Sequence, residues 1–302
     1  MSHPSTPWSH PLIKRGKLNS PLVEVTPFVF QDRLYRLENW QKQWEFPGSP
    51  DGTECQNDAI RIRDMATDRI ITTPLTGHGL GMAFVWENRV HVFAGNWGEG
   101  AKWNIEEIVL TTSTDLEHWT TPEVVLLAQP NEKFFNVGIC HGPDQFALLV
   151  ETNDPTWPPP FTFKYFTSAD LRRWTPVPDG IYGREKYVGG PALYYEGDYY
   201  YTLYLEALPG PSYETRIARS QDLVNWEDAP DGRPFVTFDS TQPVHPLRSA
   251  TICESNASDV ELCYWQERTL VYFTGGDQQV CGDLQWAEYD GTPQTLLESF
   301  FA

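Results

Sequence analysis

The chain has no apolar run approaching the roughly 18 residues that a membrane-spanning helix requires. Its first twenty residues carry Lys14, Arg15 and Lys17 among prolines and polar groups and lack the apolar core of a secretory leader. The expected address is cytoplasmic, with no membrane partner. Basic residues are scarce as well. Lys and Arg number 22 against 41 Asp and Glu in 302 residues, a formal charge of −19. A surface so acidic repels phosphate backbones and anionic headgroups, which argues against nucleic acid as a partner. Cysteines are few and odd in number: Cys55, Cys140, Cys253, Cys263 and Cys281 lack the paired close spacing of a zinc site. Reduced thiols, no metal and no cofactor are the expectation; His and carboxylate residues could hold a structural ion, but no ligand spacing argues for one.

Helical periodicity is also scarce. What the chain has instead is repetition. The phrase Ser-x-Asp-Leu-x-x-Trp stands at Ser113–Trp119, Ser168–Trp174 and Ser220–Trp226, spaced 55 and 52 residues apart. A period near 50 residues, rich in aromatic and β-branched runs, is the sequence signature of propeller blades. The clearest unit runs from Val188–Tyr195 through a Glu196-Gly197-Asp198 turn to Tyr199–Glu206, then Thr215–Arg219 and the phrase. The same frame opens at Glu24–Phe30, Gly79–Trp86, Asn136–Cys140 and Asp259–Trp265, with degenerate phrases at Ala66–Arg69 and Glu288–Gly291. The fold class predicted is all-β, a five-bladed β-propeller over residues 22–302, with 1–21 as an N-terminal extension. The Asp of the phrase is assigned to a turn between third and fourth strands, because Ser and Asp side chains bond nearby backbone there, and the Trp to packing between sheets.

In such a fold the first strands line a central channel, and the hairpins return the second strands to the same face. Two rings of candidates follow. The strand starts bring Glu24, His78, Asn136, Gly189 or Gly190, and Asp259; the strand ends bring Glu38, Asn96 with Trp97, Glu151, Glu206 and Asp277. A carboxylate at the end of an apolar strand gains a raised pKa from burial, which suits a general acid. Loops on that face add Trp157, and the connection into the last unit adds His245 and Arg248. Trp97 and Trp157 are candidate sugar platforms, His245 a proton donor, Arg248 a binder of anionic groups. Paired carboxylates with stacking aromatics are the equipment of glycoside hydrolysis.

With these residues the chain resembles the five-bladed β-propeller glycoside hydrolases: family 43 (arabinanases, arabinofuranosidases, β-xylosidases), family 117 (neoagarooligosaccharide hydrolases) and, more distantly, family 32 (invertases). The carriers are the repeated phrase, Gly189-Gly190-Pro191-Ala192-Leu193-Tyr194-Tyr195 with Gly197-Asp198-Tyr199-Tyr200, and Thr26-Pro27-Phe28-Val29-Phe30. Two positions depart from family 43. Its general base precedes the first-blade Pro, where Thr26 stands, and its general acid precedes Gly-Pro, where Gly189 stands. Glu24, two residues before Thr26, is the substitute base. The family 117 resemblance, in which a His donates the proton, makes His245 or His78 a substitute acid.

The resemblance implies an exo-acting hydrolase of short oligosaccharides. Glu24 or Asp259 would activate water and Glu206, Glu151 or His245 protonate the leaving oxygen, by inversion, while His78, Asn96, Trp97, Asn136, Trp157 and Arg248 hold the substrate. A non-catalytic carbohydrate-binding propeller, or a lyase or phosphorylase on the same scaffold, is the rival. A phosphorylase needs a cationic phosphate site, for which only Arg248, Arg184 and Lys186 lie in suitable loops.

Overall fold

The computed structural model describes residues 9–18, 20, 22–41, 58–97, 103–156, 161–210, 212–245, 249, 251–277 and 282–302. Among the described residues the protein is all-β apart from a short 3-10 turn at Pro230–Gly232 and one terminal helix, α1 (Pro293–Glu298). Strand β1 (Ile13–Lys17) precedes a first four-stranded sheet of β2 (Val23–Phe30), β3 (Arg33–Trp40), β4 (Ala59–Asp64) and β5 (Arg69–Thr76). A second sheet is β6 (His78–Trp86), β7 (Arg89–Asn96), β8 (Glu107–Ser113) and β9 (Glu123–Leu127); a third is β10 (Lys133–His141), β11 (Phe146–Asn153), β12 (Thr162–Ser168) and β13 (Thr175–Tyr182). The rest form one larger sheet with two antiparallel halves. One half is β14 (Val188–Glu196), β15 (Tyr199–Leu208), β16 (Ser212–Ser220) and β17 (Glu227–Asp228), and the other is β18 (Asn256–Trp265), β19 (Arg268–Gly276) and β20 (Gly282–Tyr289). A short parallel pairing, Tyr213 with Asn256 and Glu214 with Ala257, joins them.

The segment expected as an extension preceding the domain contributes to it: β1 pairs antiparallel with β20 and supplies the outer strand that the last unit lacks. Each unit therefore has four strands. Their first strands pack in order, β2 on β6, β6 on β10, β10 on β14, β14 on β18 and β18 back on β2. The apolar core is divided accordingly among the described residues, with one buried cluster at each seam between neighbouring units.

The repeated phrase builds the same device three times. The Ser hydroxyl accepts the N–H of the Asp at 3.2, 3.1 and 3.2 Å in the three copies. The Asp carboxylate accepts two N–H groups further on, 2.8 Å each from Glu117 and His118 in the first copy. These donors, the His118 N–H foremost, hold exposed Asp115 below the usual carboxylate range, as a turn residue and not a reactive one. The Leu takes a left-handed conformation, φ 63°, 62° and 65° at Leu116, Leu171 and Leu223, and plugs the core. The Trp crosses to the preceding unit: Trp119 Nε1 donates to Thr72 Oγ1 at 3.2 Å, Trp174 meets Phe93 edge-on, and Trp226 stacks on Tyr165 at 5.0 Å.

Candidate functional site

The first strand of every unit carries a register shift near its start, at Val23/Val25, Gly79/Met82, Phe134/Val137, Gly189/Ala192 and Ser258/Glu261. These are bulges, which bend a strand and re-aim its side chains. In four of them the bulged residue is left-handed: Glu24 (φ 58°), Leu80 (52°), Gly190 (49°) and Asp259 (52°). Such φ values cost a residue with a Cβ about 1–3 kcal/mol, a strain that collects at functional sites. The bulge of the first unit is tied to that of the second by buried Asn39, whose Nδ2 donates to Glu24 O (2.6 Å) and Gly81 O (2.8 Å) and whose Oδ1 accepts Gly81 N–H (2.7 Å).

The bulges surround a cleft of about 480 Å³. Glu24, Asn136, Glu151 and Asp259 all line it, so the structure brings together four of the residues named from the sequence. Glu151 is buried on β11, accepting Asn136 Nδ2 at 3.0 Å and Gly190 N–H at 3.1 Å on Oε2. A Cβ on Gly189 would fall 3.3 Å from Glu151 Oε1, and one on Gly190 would fall 2.3 Å from Asp259 Oδ1. The paired glycines are thus the empty ground on which two carboxylates from neighbouring strands converge. Burial, reinforced by the charge of Asp259, pushes Glu151 up to about 7 despite its two donors. Burial also raises Asp259, against a hydroxyl donated by Ser258. Below them the cleft narrows to a throat of about 20 Å³ bordered by Glu24, Asn136, Gly190, Asp259 and Glu261. Burial drives Glu261 up to about 8 although Tyr194 Oη donates to it at 2.5 Å.

We expect Gly190→Ala to lower kcat by about a hundredfold, because a clash of this size displaces the Asp259 carboxylate and an ångström of misplacement costs that much. The same variant should melt lower by the equivalent of about 1–2 kcal/mol. Unchanged kcat would show that Asp259 is not held by this contact.

Other expected residues lie elsewhere. His78 is two residues short of the bulge, its Nδ1 2.7 Å from Thr76 O, and Leu80 takes the cleft position. Burial lowers the His78 pKa, which disfavours a charged donor. Asn96 donates to Glu107 Oε2 at 2.9 Å. Trp97, expected as a platform, is 1% exposed: its ring lies over Gly79, where a Cβ would fall 2.4 Å from Cζ2. The exposed ring is Trp103, edge-on to Trp97 at 5.6 Å and on the cleft wall. Glu206 stands across the strand pair from Glu214, and Arg216 bridges them, 2.8 Å from Glu206 Oε2. Glu38 is buried between Arg36 and Arg63, each 2.6 Å from its Oε1. His245 gives its backbone N–H to Asp283 Oδ2 at 3.0 Å, away from the cleft lining. Trp157 and Arg248 lie outside the described residues.

The cleft also includes residues that sequence reasoning missed: Lys133, Phe135, Phe161 and Tyr187. Phe135 adjoins Asn136 at a strand start and was within reach of the same logic. Tyr187 had a weaker signal, its place just before Val188-Gly189-Gly190.

No family model matches the chain, and no curated protein matches its sequence. Solved structures do match in three dimensions. One described as a glycoside hydrolase superposes with a TM-score of 0.66 at 15% identity, covering 94% of this chain and 91% of its own. An arabinanase of Bacillus subtilis gives 0.61 at 12%, covering 91% and 97%. A structure from the GH130 family, described as mannoside phosphorylases containing glycoside hydrolases that target β-1,2 mannosidic linkages in Candida mannan, gives 0.61 at 12%, covering 90% and 87%. The likeness to glycoside hydrolases read from the repeated phrase holds at the level of the fold.

Proposed function

We propose that the protein is a glycoside hydrolase, that its four-stranded units are the blades of a five-bladed β-propeller, and that it removes the terminal sugar of short oligosaccharides with inversion. The observation that carries the reading is the convergence of Glu151 and Asp259 on Gly189 and Gly190. Where the family 43 pattern has its proton donor, this chain has Gly189, and the carboxylate of Glu151 reaches in from the neighbouring blade to the space that donor would occupy. Glu151, pushed up to about 7, keeps its proton in about half the molecules at neutral pH and in most below it, and serves as the acid. Asp259 is left ionised and made more basic by burial, which suits water activation better than it suits a leaving nucleophile. Glu24 is the third carboxylate at the bond to be cleaved.

Exo action is supported by the throat. A space of about 20 Å³ holds about one water and admits no sugar, so a chain that enters the cleft end-on towards it would stop there. Hydrolysis is favoured over phosphorolysis by charge: the described cleft-lining residues include three carboxylates and one cation, Lys133. A cytoplasmic address, proposed from the sequence, fits short oligosaccharides as substrates.

The test is a panel of 4-nitrophenyl glycosides and short oligosaccharides, assayed with and without inorganic phosphate, the first-formed anomer read by proton NMR. The expected result is phosphate-independent release of an inverted terminal sugar. Strict dependence on phosphate would move the protein to the phosphorylases, and thermal protection by a sugar without cleavage would make it a binding protein.

A further inference from the structure

The loop before β14 carries a tyrosine that the acid–base pair leaves unused. Tyr187 lines the cleft with Glu151, Gly190 and Asp259, and among the described residues its hydroxyl has no hydrogen-bond partner. Its ring is wedged, edge-on to Phe161 at 5.4 Å and tilted against Tyr213 at 6.4 Å. Phe161 in turn meets Phe135 edge-on at 4.8 Å, so one wall of the cleft is a continuous aromatic surface. Such a wall suits the C–H face of a sugar and leaves the phenol to address a hydroxyl.

The residue before it is tied down far more tightly than an exposed loop needs. Lys186 Nζ donates to Tyr204 Oη at 2.7 Å and to Asp228 Oδ2 at 3.0 Å, over the rings of Tyr182 and Tyr204 at 4.8 and 4.6 Å. Tyr182 Oη also donates to Asp228. The loop turns through Gly183 at φ 90°, where a Cβ would fall 2.4 Å from Val188 Cγ2. An ammonium, a carboxylate and two phenols thus fix the residue next to Tyr187, fastening the loop to β13, β15 and β17.

We propose that Tyr187 is a substrate-contacting residue whose hydroxyl donates to a sugar hydroxyl beside the scissile bond, and that Lys186 and Asp228 act as positioning residues for it. This rests on the hydrolase reading above. The phenol is raised by burial and by the charges of Glu151 and Asp259, so it remains a donor throughout the working range of the carboxylates.

The experiment compares wild type, Tyr187→Phe, Lys186→Met, Lys186→Arg and the double variant Lys186→Met/Tyr187→Phe on the 4-nitrophenyl glycoside cleaved fastest. Tyr187→Phe should lower kcat/KM about tenfold, the value of one hydrogen bond, with unchanged melting. Lys186→Met should do the same, Lys186→Arg should recover part of the loss, and the double variant should be no worse than either single change, because both remove one interaction. Wild-type kinetics in Tyr187→Phe, with Glu151→Gln inactive, overturns the proposal and leaves the hydrolase reading intact; additive losses overturn the positioning role. If wild type cleaves nothing, the hydrolase reading fails first, and calorimetric titration with the parent monosaccharides decides: tenfold weaker binding by Tyr187→Phe supports the contact, while equal affinity, or none in wild type, overturns it.

Discussion

Glu151→Gln is expected to lower kcat by about 10³-fold, within the roughly 10²–10⁴ that a positioned proton donor contributes. Gln keeps the shape and still accepts from Asn136 and Gly190, so melting should hold and the loss should fall on kcat more than on KM. The pH profile separates this from a structural effect. In the proposed mechanism turnover needs Glu151 protonated and Asp259 ionised. Activity therefore rises as Asp259 loses its proton, above the usual carboxylate range, and falls as pH passes about 7, where Glu151 loses its own. Glu151→Gln should abolish the falling limb and retain the rising one. Asp259→Asn should abolish the rising limb with a comparable loss. Glu206→Gln and His245→Ala, whose side chains are not on the cleft, should leave both limbs in place. A falling limb that survives in Glu151→Gln would give the proton to another group.

Particular residues explain which parts of this arrangement were legible beforehand. The repeated phrase was legible because its function is local: Ser and Asp bond to N–H groups two and three residues away, so spacing alone defines the turn and the side of the sheet on which it lies. Glu24, Asn136 and Asp259 were legible because strand starts in a repeated frame share a height. The bulges were not, since nothing in Val23-Glu24-Val25 announces an inserted residue, and a bulge moves which residue faces the axis, from His78 to Leu80. Trp97 was misread because its burial depends on an absence, the missing side chain of Gly79, which strand pairing alone brings beneath the ring. Glu206 was misread because Arg216, ten residues away in sequence, becomes its neighbour only when β15 and β16 pair. Burial of a polar residue is decided by partners brought from elsewhere, and sequence order does not carry them.

Lys17→Met is expected to destabilise the protein by about 3 kcal/mol at neutral pH. Its ammonium, a quarter exposed, pairs with Glu254, lies 3.9 Å from Asp283 Oδ2 and donates to Pro243 O. Both acids are buried, Glu254 at 4% and Asp283 at 0% exposed, and removing one partner of a buried pair typically costs roughly 3–5 kcal/mol because a charge is left behind. Partial exposure of the lysine puts the effect at the lower end. The position magnifies the consequence. The seam between the first and last units is the least apolar, with Leu22, Val25, Tyr272 and Leu284 as its buried cluster where every other seam has a dozen or more such residues among those described. Closure there leans on β1, whose Lys17 joins the two acids. The sign with pH follows from Asp283, which burial already holds above the usual carboxylate range while Lys17 opposes it. Without the lysine the folded state binds protons more tightly than the unfolded chain, so the variant's stability rises as pH falls. Urea unfolding should show the full deficit at pH 8 and a smaller one at pH 5. Equal deficits for Lys17→Met at the two pH values would mean that packing of the β1 stem, and not the buried acids, holds the ring shut.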